Sequence, residues 1–174
     1  MNLDEWDQRH RQARLEPPLP LLVRTASRLA PGRALDLACG TGRHALWLAG
    51  QGWSVTAVDG SRAAIEILRE RAGRLPVEAM VADLEKHEYR IEPSQWDLIV
   101  VSHYFQRDLI ETVKQGVVPG GVVVMIALMS GRYAARPGEL AECFDDWEVQ
   151  HYREAATAEL AARRVGAATG QRNP

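Results

Sequence analysis

From residue 33 onward, short apolar runs alternate with amphipathic stretches, and that alternation sets the first expectation about the fold. Arg33 to Ala38 is a nearly unbroken apolar run of strand length. Arg43 to Ala49 is an apolar segment stopped near Gly50 and Gly52, which predicts a helix with a glycine terminus. Trp53 to Val58 alternates and is β-rich, so it reads as a second strand. After the turn Asp59-Gly60-Ser61, the residues Ile65, Leu68 and Ala72 fall on one face of a helix. Val77 to Ala82 and Asp97 to Val101 predict a third and a fourth strand. Leu109, Val113 and Val117 mark the buried side of the next helix, and Pro119-Gly120-Gly121 turns into the most apolar strand, Val122 to Leu128.

Strands separated by helical patterns imply right-handed βαβ units and a mostly parallel sheet covered on both faces. The end of the chain changes style. A short helix around Glu139 to Phe144 leads to Trp147–Arg153 and Glu159–Val165, two strands joined by a short loop, for which an antiparallel pair is the natural inference. The class expected is α/β, doubly wound, with seven strands. Ahead of the sheet, residues 4 to 29 read as one or two helices interrupted by Pro17, Pro18 and Pro20, because consecutive prolines remove donors from the helical ladder. Residues 166 to 174 lack bulky apolar anchors and are expected to form a disordered tail.

Length and charge narrow the function classes. A chain of 174 residues fits a single domain, 1–174, without room for a second catalytic one. Its net charge of −2, from 21 basic against 23 acidic residues, argues against a large nucleic-acid footprint. The acidic start Met1-Asn2-Leu3-Asp4-Glu5 is unlike a secretory signal, and the longest apolar run, Val122 to Met129, is too short to span a bilayer. Cys39 and Cys143 are widely separated and belong to no C-x-x-C pair, so a reduced, cytoplasmic setting is the expectation. No Cys/His cluster has tetrahedral spacing, and no metal site is expected.

The chemistry concentrates at Gly40-Thr41-Gly42-Arg43-His44-Ala45, a G-x-G-x-x-A pattern between the first strand and the first crossover helix. The first glycine allows a tight turn, the second a close backbone approach to a ligand, and the alanine close helix–strand packing. Asp59 follows Gly42 by 17 residues at the end of the second strand, and its two oxygens match the paired hydroxyls of a ribose. This constellation points to an adenosine-containing cofactor without separating NAD from S-adenosylmethionine. Asp36 favours the latter. It stands inside an apolar strand, where a carboxylate needs a donor or a positive charge, and S-adenosylmethionine carries an ammonium and a sulfonium. The missing substrate domain of most dehydrogenases points the same way.

Ala34-Leu35-Asp36-Leu37-Ala38-Cys39-Gly40-Thr41-Gly42-Arg43-His44 resembles motif I of the class I S-adenosylmethionine-dependent methyltransferases. Val55 to Ser61 resembles their acidic second motif, and Ala82-Asp83-Leu84 their adenine segment. With Gln106 to Leu109, Pro119-Gly120-Gly121 and Arg136 to Leu140, the chain resembles the small bacterial branch that includes tellurite-resistance methyltransferases, over residues 4 to 165. The resemblance implies a Rossmann-like sheet, a helical cap at 4–29, a cofactor-binding core at 33–129 and an acceptor-side region at 130–165. It also implies roles. Asp36 would lie near the methionyl ammonium, and the main chain of Ala38, Cys39 and Gly40 would line the methionine end. Asp59, with Gly60 beside it, would take the ribose. Asp83 and the Leu84 amide would hold adenine, and Ser102 would touch the methionyl portion.

His103 and Tyr104 follow the fourth strand and should face the methyl group, either as base, donor or lid, or as packing against the cofactor. Arg107 is read as an anion ligand or, more simply, as an ion-pair partner of its neighbour Asp108. Arg132, Tyr133 and Arg136 either clamp a substrate or belong to a solvated loop, which is shorter than in many relatives of that family. Trp6, Arg9 and His10 match an N-terminal family element with histidine in place of tyrosine, and read as a cofactor cap or an ordinary docking helix. His44 is read as a helix-start residue, His87 and His151 as surface positions, and Cys39 as a small residue filling a tight loop. The function expected is methyl transfer to a small-molecule acceptor. A non-catalytic S-adenosylmethionine-binding protein and an NAD-dependent oxidoreductase stand as alternatives.

Overall fold

The computed structural model describes residues 3–12 and 14–166. The tail expected at 166–174 therefore lies, except for Gly166, outside the described residues. A single sheet of seven strands carries the fold: β1 (Arg33–Leu37), β2 (Ser54–Asp59), β3 (Val77–Val81), β4 (Trp96–Ser102), β5 (Val117–Leu128), β6 (Glu148–Glu154) and β7 (Thr157–Arg163), in the order β3-β2-β1-β4-β5-β7-β6. β1 to β5 are mutually parallel, while β7 runs antiparallel between β5 and β6. The order reverses at β1, and the crossover helices cover both faces, as in Rossmann-like doubly wound sheets.

Strand alternation divides the core into two layers. Leu35, Leu37, Ile99, Val101, Val123 and Met125 face one side, where α5 (Ile110–Gly116) and α6 (Glu139–Glu142) pack with Phe144 and Trp147. Ala34, Leu98, Val100, Val122, Val124 and Ile126 face the other, under α2 (Pro20–Ala26), α3 (Arg43–Gly50) and α4 (Arg62–Ala72). Leu22, Leu48, Ile65 and Leu68 are fully buried there, each worth roughly 1.5–3 kcal/mol of removed apolar surface. By the same alternation Asp36 points into this second layer, toward α3.

The N-terminal segment is built differently. α1 (Leu3–Gln12) has acidic residues in its first turn and basic ones in its last, matching the helix dipole, but buries no residue fully. Pro20 does not break a helix; it opens α2, where a missing N–H costs nothing. β5 begins five residues earlier than its apolar run, so Val117, expected at the end of the preceding helix, pairs with Trp96 instead. Pro119-Gly120-Gly121 is an irregularity within that strand. Gly120, at φ 83°, donates to the Arg164 carbonyl at 2.9 Å and Gly121 accepts from the Arg164 amide at 2.9 Å, which satisfies the backbone. No helix among the described residues is long and apolar enough to cross a membrane.

Candidate functional site

The carboxyl ends of β1, β2 and β4 open onto a cavity of about 610 Å³ roofed by α1. Its floor is the loop between β1 and α3. Ala38 (φ 53°), Gly40 (φ 54°) and Gly42 (φ 88°) all hold left-handed backbone, a costly choice for alanine that marks a loop shaped by its surroundings. Gly40 donates its amide to Asp59 Oδ2 at 2.8 Å, and Ser61 donates to Oδ1 at 2.8 Å. Burial pushes the Asp59 carboxyl up from its ordinary value, and these two amides offset only part of that rise. Each oxygen keeps acceptor capacity for a further donor.

Gly42 has a different task from the one its position in the motif suggests. A Cβ there would stand 2.2 Å from Leu68 Cδ1, so the close approach is to α4 and not to a ligand. Gly40, by contrast, lines the cavity, and its missing Cβ would lie 3.4 Å from His10 Nε2.

Ala38, Cys39, Gly40, Asp59, Gly60, Asp83, Leu84, Ser102, His103 and Tyr104 all border this one cavity. Asp36 does not. It is 1% exposed, its Oδ2 accepts from the Ala45 amide at 3.1 Å, and its Oδ1 has no partner among the described residues. The carboxylate thus serves the amino end of α3 from beneath the loop, and desolvation raises its pKa to about 7. Burial holds the Cys39 thiol well above its usual value, so it is no thiolate nucleophile. Asp83 binds the Glu85 amide at 3.0 Å and Lys86 at 3.1 Å, while the Leu84 amide makes no hydrogen bond among the described residues.

The opposite wall is organised by Arg43, which the sequence reading passed over. From the first turn of α3 its guanidinium reaches Glu16 at 2.8 Å, Ser102 Oγ at 3.2 Å and His103 Nδ1 at 3.2 Å. A guanidinium only donates, so Nδ1 accepts and the proton of the neutral ring sits on Nε2. Burial first, and then Arg43, lower the His103 pKa, which keeps the ring neutral. His103 itself has left-handed backbone (φ 58°), pinned by its amide on the Ile126 carbonyl at 2.6 Å. Tyr104 donates to Gln106 Oε1 at 2.5 Å, and burial raises its pKa far above neutrality, so it stays a phenol. Its ring packs on Tyr133 at 4.7 Å.

Several side chains have other partners than the sequence suggested. Arg107 pairs not with Asp108 but with Glu139, at 2.6 and 2.7 Å, holding that carboxyl down to about 2; Asp108 instead meets His87. Arg132 grips Glu85 through both carboxylate oxygens at 2.9 and 3.0 Å, and Arg136 reaches Glu139 at 3.1 Å, so the loop is stitched down and not merely solvated. His44 is buried, its Nε2 accepting from the Leu19 amide at 3.4 Å, and burial pushes its pKa down to about 3. Trp6 stacks on His10 at 5.5 Å. His10 Nδ1 lies 3.1 Å from Ser61 Oγ, whose hydroxyl donates to Asp7 at 2.5 Å, so a polar latch holds the roof. Among the described residues no three His, Cys, Asp or Glu side chains cluster to hold a metal.

Comparison with known proteins agrees with this layout. Residues 34–121 match the family described as Methyltransferase domain. The chain is similar to Hemagglutinin 1 of Eikenella corrodens, 29% identical over 73% of this chain and 47% of that protein. It is also similar to the probable S-adenosyl-L-methionine-dependent methyltransferase TehB of Haemophilus influenzae, 28% identical over 76% of this chain and 52% of the relative. The chain thus spans about half the length of these curated relatives. The crystal structure of TehB from Haemophilus influenzae superposes with a TM-score of 0.76 at 24% identity, over 84% of this chain and 62% of that one. A structure solved for the conversion of a disulfide bond into a thioacetal group during echinomycin biosynthesis superposes at 0.72 with 21% identity, over 96% and 94%. These structural likenesses show a shared fold.

Proposed function

The chain belongs to the Methyltransferase domain family, and on that premise we propose that it transfers a methyl group from S-adenosylmethionine to a small acceptor that arrives already deprotonated. One observation carries the reading. A single cavity joins a half that suits adenosine, made by Gly40, Asp59, Asp83 and Leu84, to a second half where the Arg43 guanidinium and the protons of His103 and Tyr104 are held in place.

The residues present fit the cofactor. Asp59 has spare acceptor sites for two ribose hydroxyls, Asp83 offers an acceptor to an adenine amino group, and the free Leu84 amide offers a donor to a ring nitrogen. The missing Cβ of Gly40 leaves the loop open under the methionyl end. When bound, S-adenosylmethionine supplies a methyl group already activated by its sulfonium. The protein supplies orientation and exclusion of water beneath α1.

Neither His103 nor Tyr104 is free to accept a proton, and the carboxylates of the lining, Glu16 and Glu85, are held by Arg43 and Arg132. His103 presents Nε2–H as long as Arg43 occupies Nδ1, and Tyr104 keeps its proton. A soft anion such as a thiolate or a compact oxyanion needs no base, whereas a neutral hydroxyl or amine does. The test is calorimetry with S-adenosylhomocysteine, followed by labelled methyl transfer to a panel of small thiols, oxyanions, alcohols and amines. Binding near micromolar and turnover confined to the anionic acceptors are expected. Transfer to RNA or protein alone, or affinity for NAD(H) without affinity for the methyl donor, would overturn the proposal.

A further inference from the structure

One strand beyond the first cavity, on the same edge of the sheet, lies a second, of about 370 Å³, between the start of α2 and the ends of β5, β7 and β6. That volume is within the range of small-molecule sites, roughly 300–1,000 Å³. Its apolar floor is Ile126 and Leu21, and its polar rim carries Arg24, His151, Arg153 and Glu159. Among the residues of the two linings, His103 alone is shared.

The charges on this rim are unevenly matched. Arg153 stands opposite Glu159 in the β6–β7 ladder, but the Glu159 carboxylate turns to His151 Nε2, 3.5 Å away. Neither Arg153 nor Arg24 makes a hydrogen bond, an ion pair or a ring contact with any described residue. Exposed Arg107, Arg132 and Arg136 are tied to carboxylates, whereas Arg28, Arg62 and Arg74 are as open as these two, so it is the shared concavity that sets Arg24 and Arg153 apart. Two guanidiniums reach one concavity from different elements, α2 and β6, against the single carboxylate of Glu159, and each offers the planar fork that takes an oxyanion bidentately. The neighbouring His103 adds a neutral ring whose free proton is on Nε2.

We propose that this second cavity binds the oxyanion end, carboxylate or phosphate, of the methyl acceptor, with His103 standing between that end and the transfer site. Its role as an acceptor subsite rests on the methyltransferase reading; its chemistry as an anion pocket does not.

The whole chain is titrated at constant ionic strength with inorganic phosphate, with benzoate and with the neutral benzamide, following backbone-amide and histidine-ring NMR signals. The series is repeated on Arg24→Gln, Arg153→Gln and the double variant, whose exposed side chains can be changed without touching the core. Shifts centred on Thr157, His151 and His103, with benzoate or phosphate favoured over benzamide, are expected, and the stronger of the two anions identifies the oxyanion. The double variant should weaken that binding tenfold or more while leaving S-adenosylhomocysteine affinity within twofold. Undiminished anion binding in the double variant, shifts centred on Arg9 and Arg43 of the first cavity, equal response to benzamide, or no response to either anion would each overturn the proposal. Absence of S-adenosylhomocysteine binding alongside a normal anion response would instead remove the methyltransferase reading and leave the pocket standing.

Discussion

Replacing Asp36 with Asn should change how stability depends on pH more than it changes the site. The carboxyl is buried, with one oxygen on the Ala45 amide and the other without a partner among the described residues, and its pKa is raised from 3.8 to about 7. Between those two values the folded chain holds this proton and the unfolded chain does not, so stability falls as pH rises. The fall is fully absent below pH 3.8 and complete above about 7. Over the two units from pH 5 to 7 it amounts to about 3 kcal/mol, at about 1.4 kcal/mol per unit. In Asp36→Asn the amide oxygen can still accept from Ala45, and the side chain no longer ionises. Relative to the wild type, the variant should therefore gain about 3 kcal/mol between pH 5 and pH 8, whatever its offset at pH 5. Urea unfolding of both proteins at pH 5 and 8 measures this as a difference of differences, in which the other titrating groups largely cancel. Parallel stability profiles, agreeing within about 0.5 kcal/mol across that range, would refute the buried neutral carboxyl.

Three other perturbations probe the site. Asp59→Ala should weaken S-adenosylhomocysteine binding by about 1–3 kcal/mol in calorimetry, because charge-assisted hydrogen bonds to the ribose are lost; unchanged affinity in a folded variant would exclude that assignment. Arg43→Gln removes a charge that depresses His103, so its ring should titrate at higher pH by NMR, and an unmoved titration would show that Arg43 does not set the proton. Gly42→Ala must place a methyl 2.2 Å from Leu68 Cδ1 at a φ of 88° and should cost about 1–3 kcal/mol in denaturant unfolding, whereas a loss below about 0.5 kcal/mol would contradict the packing role.

The strands were legible because each apolar run is a sheet core seen from the chain, and the turns between them carry glycine or an N-capping Ser61, which accepts from the Ala64 amide at 3.1 Å. What escaped the sequence is settled by tertiary partners. Val117 joins β5 because Trp96 offers a register site and Arg164 completes the ladder past Gly120, neither of which local propensity records. Arg107 was matched to Asp108 by adjacency, but its carboxylate is Glu139, 32 residues on. Ten of the eleven site residues expected from the motifs border one cavity, because motif positions fall at the carboxyl ends of parallel strands. Asp36 is the exception for a reason visible in strand parity: it shares a face with Ala34, which packs under the helices, and its neighbour Ala38 has already left the strand.

Placing Asp36 beneath the loop also moves the weight of the cofactor choice. A carboxyl whose pKa is about 7 carries only part of a charge at neutral pH, so it repels a pyrophosphate less than an ordinary aspartate would. The preference for a methyl donor over a dinucleotide therefore draws on the family match over residues 34–121 and on the other half of the cavity. There the position of a single proton matters most. Arg43 can only donate, so His103 Nδ1 must accept, and Nε2 keeps its hydrogen. His103 arranged in this way presents a proton donor to whatever approaches it and cannot itself serve as a base while Arg43 holds Nδ1. The rim of the adjoining cavity carries two arginines against one carboxylate, Glu159, and leans toward a negatively charged ligand. On the proposed acceptor path, the fixed tautomer of His103 and the excess of arginine over carboxylate on the second rim would both favour an anion.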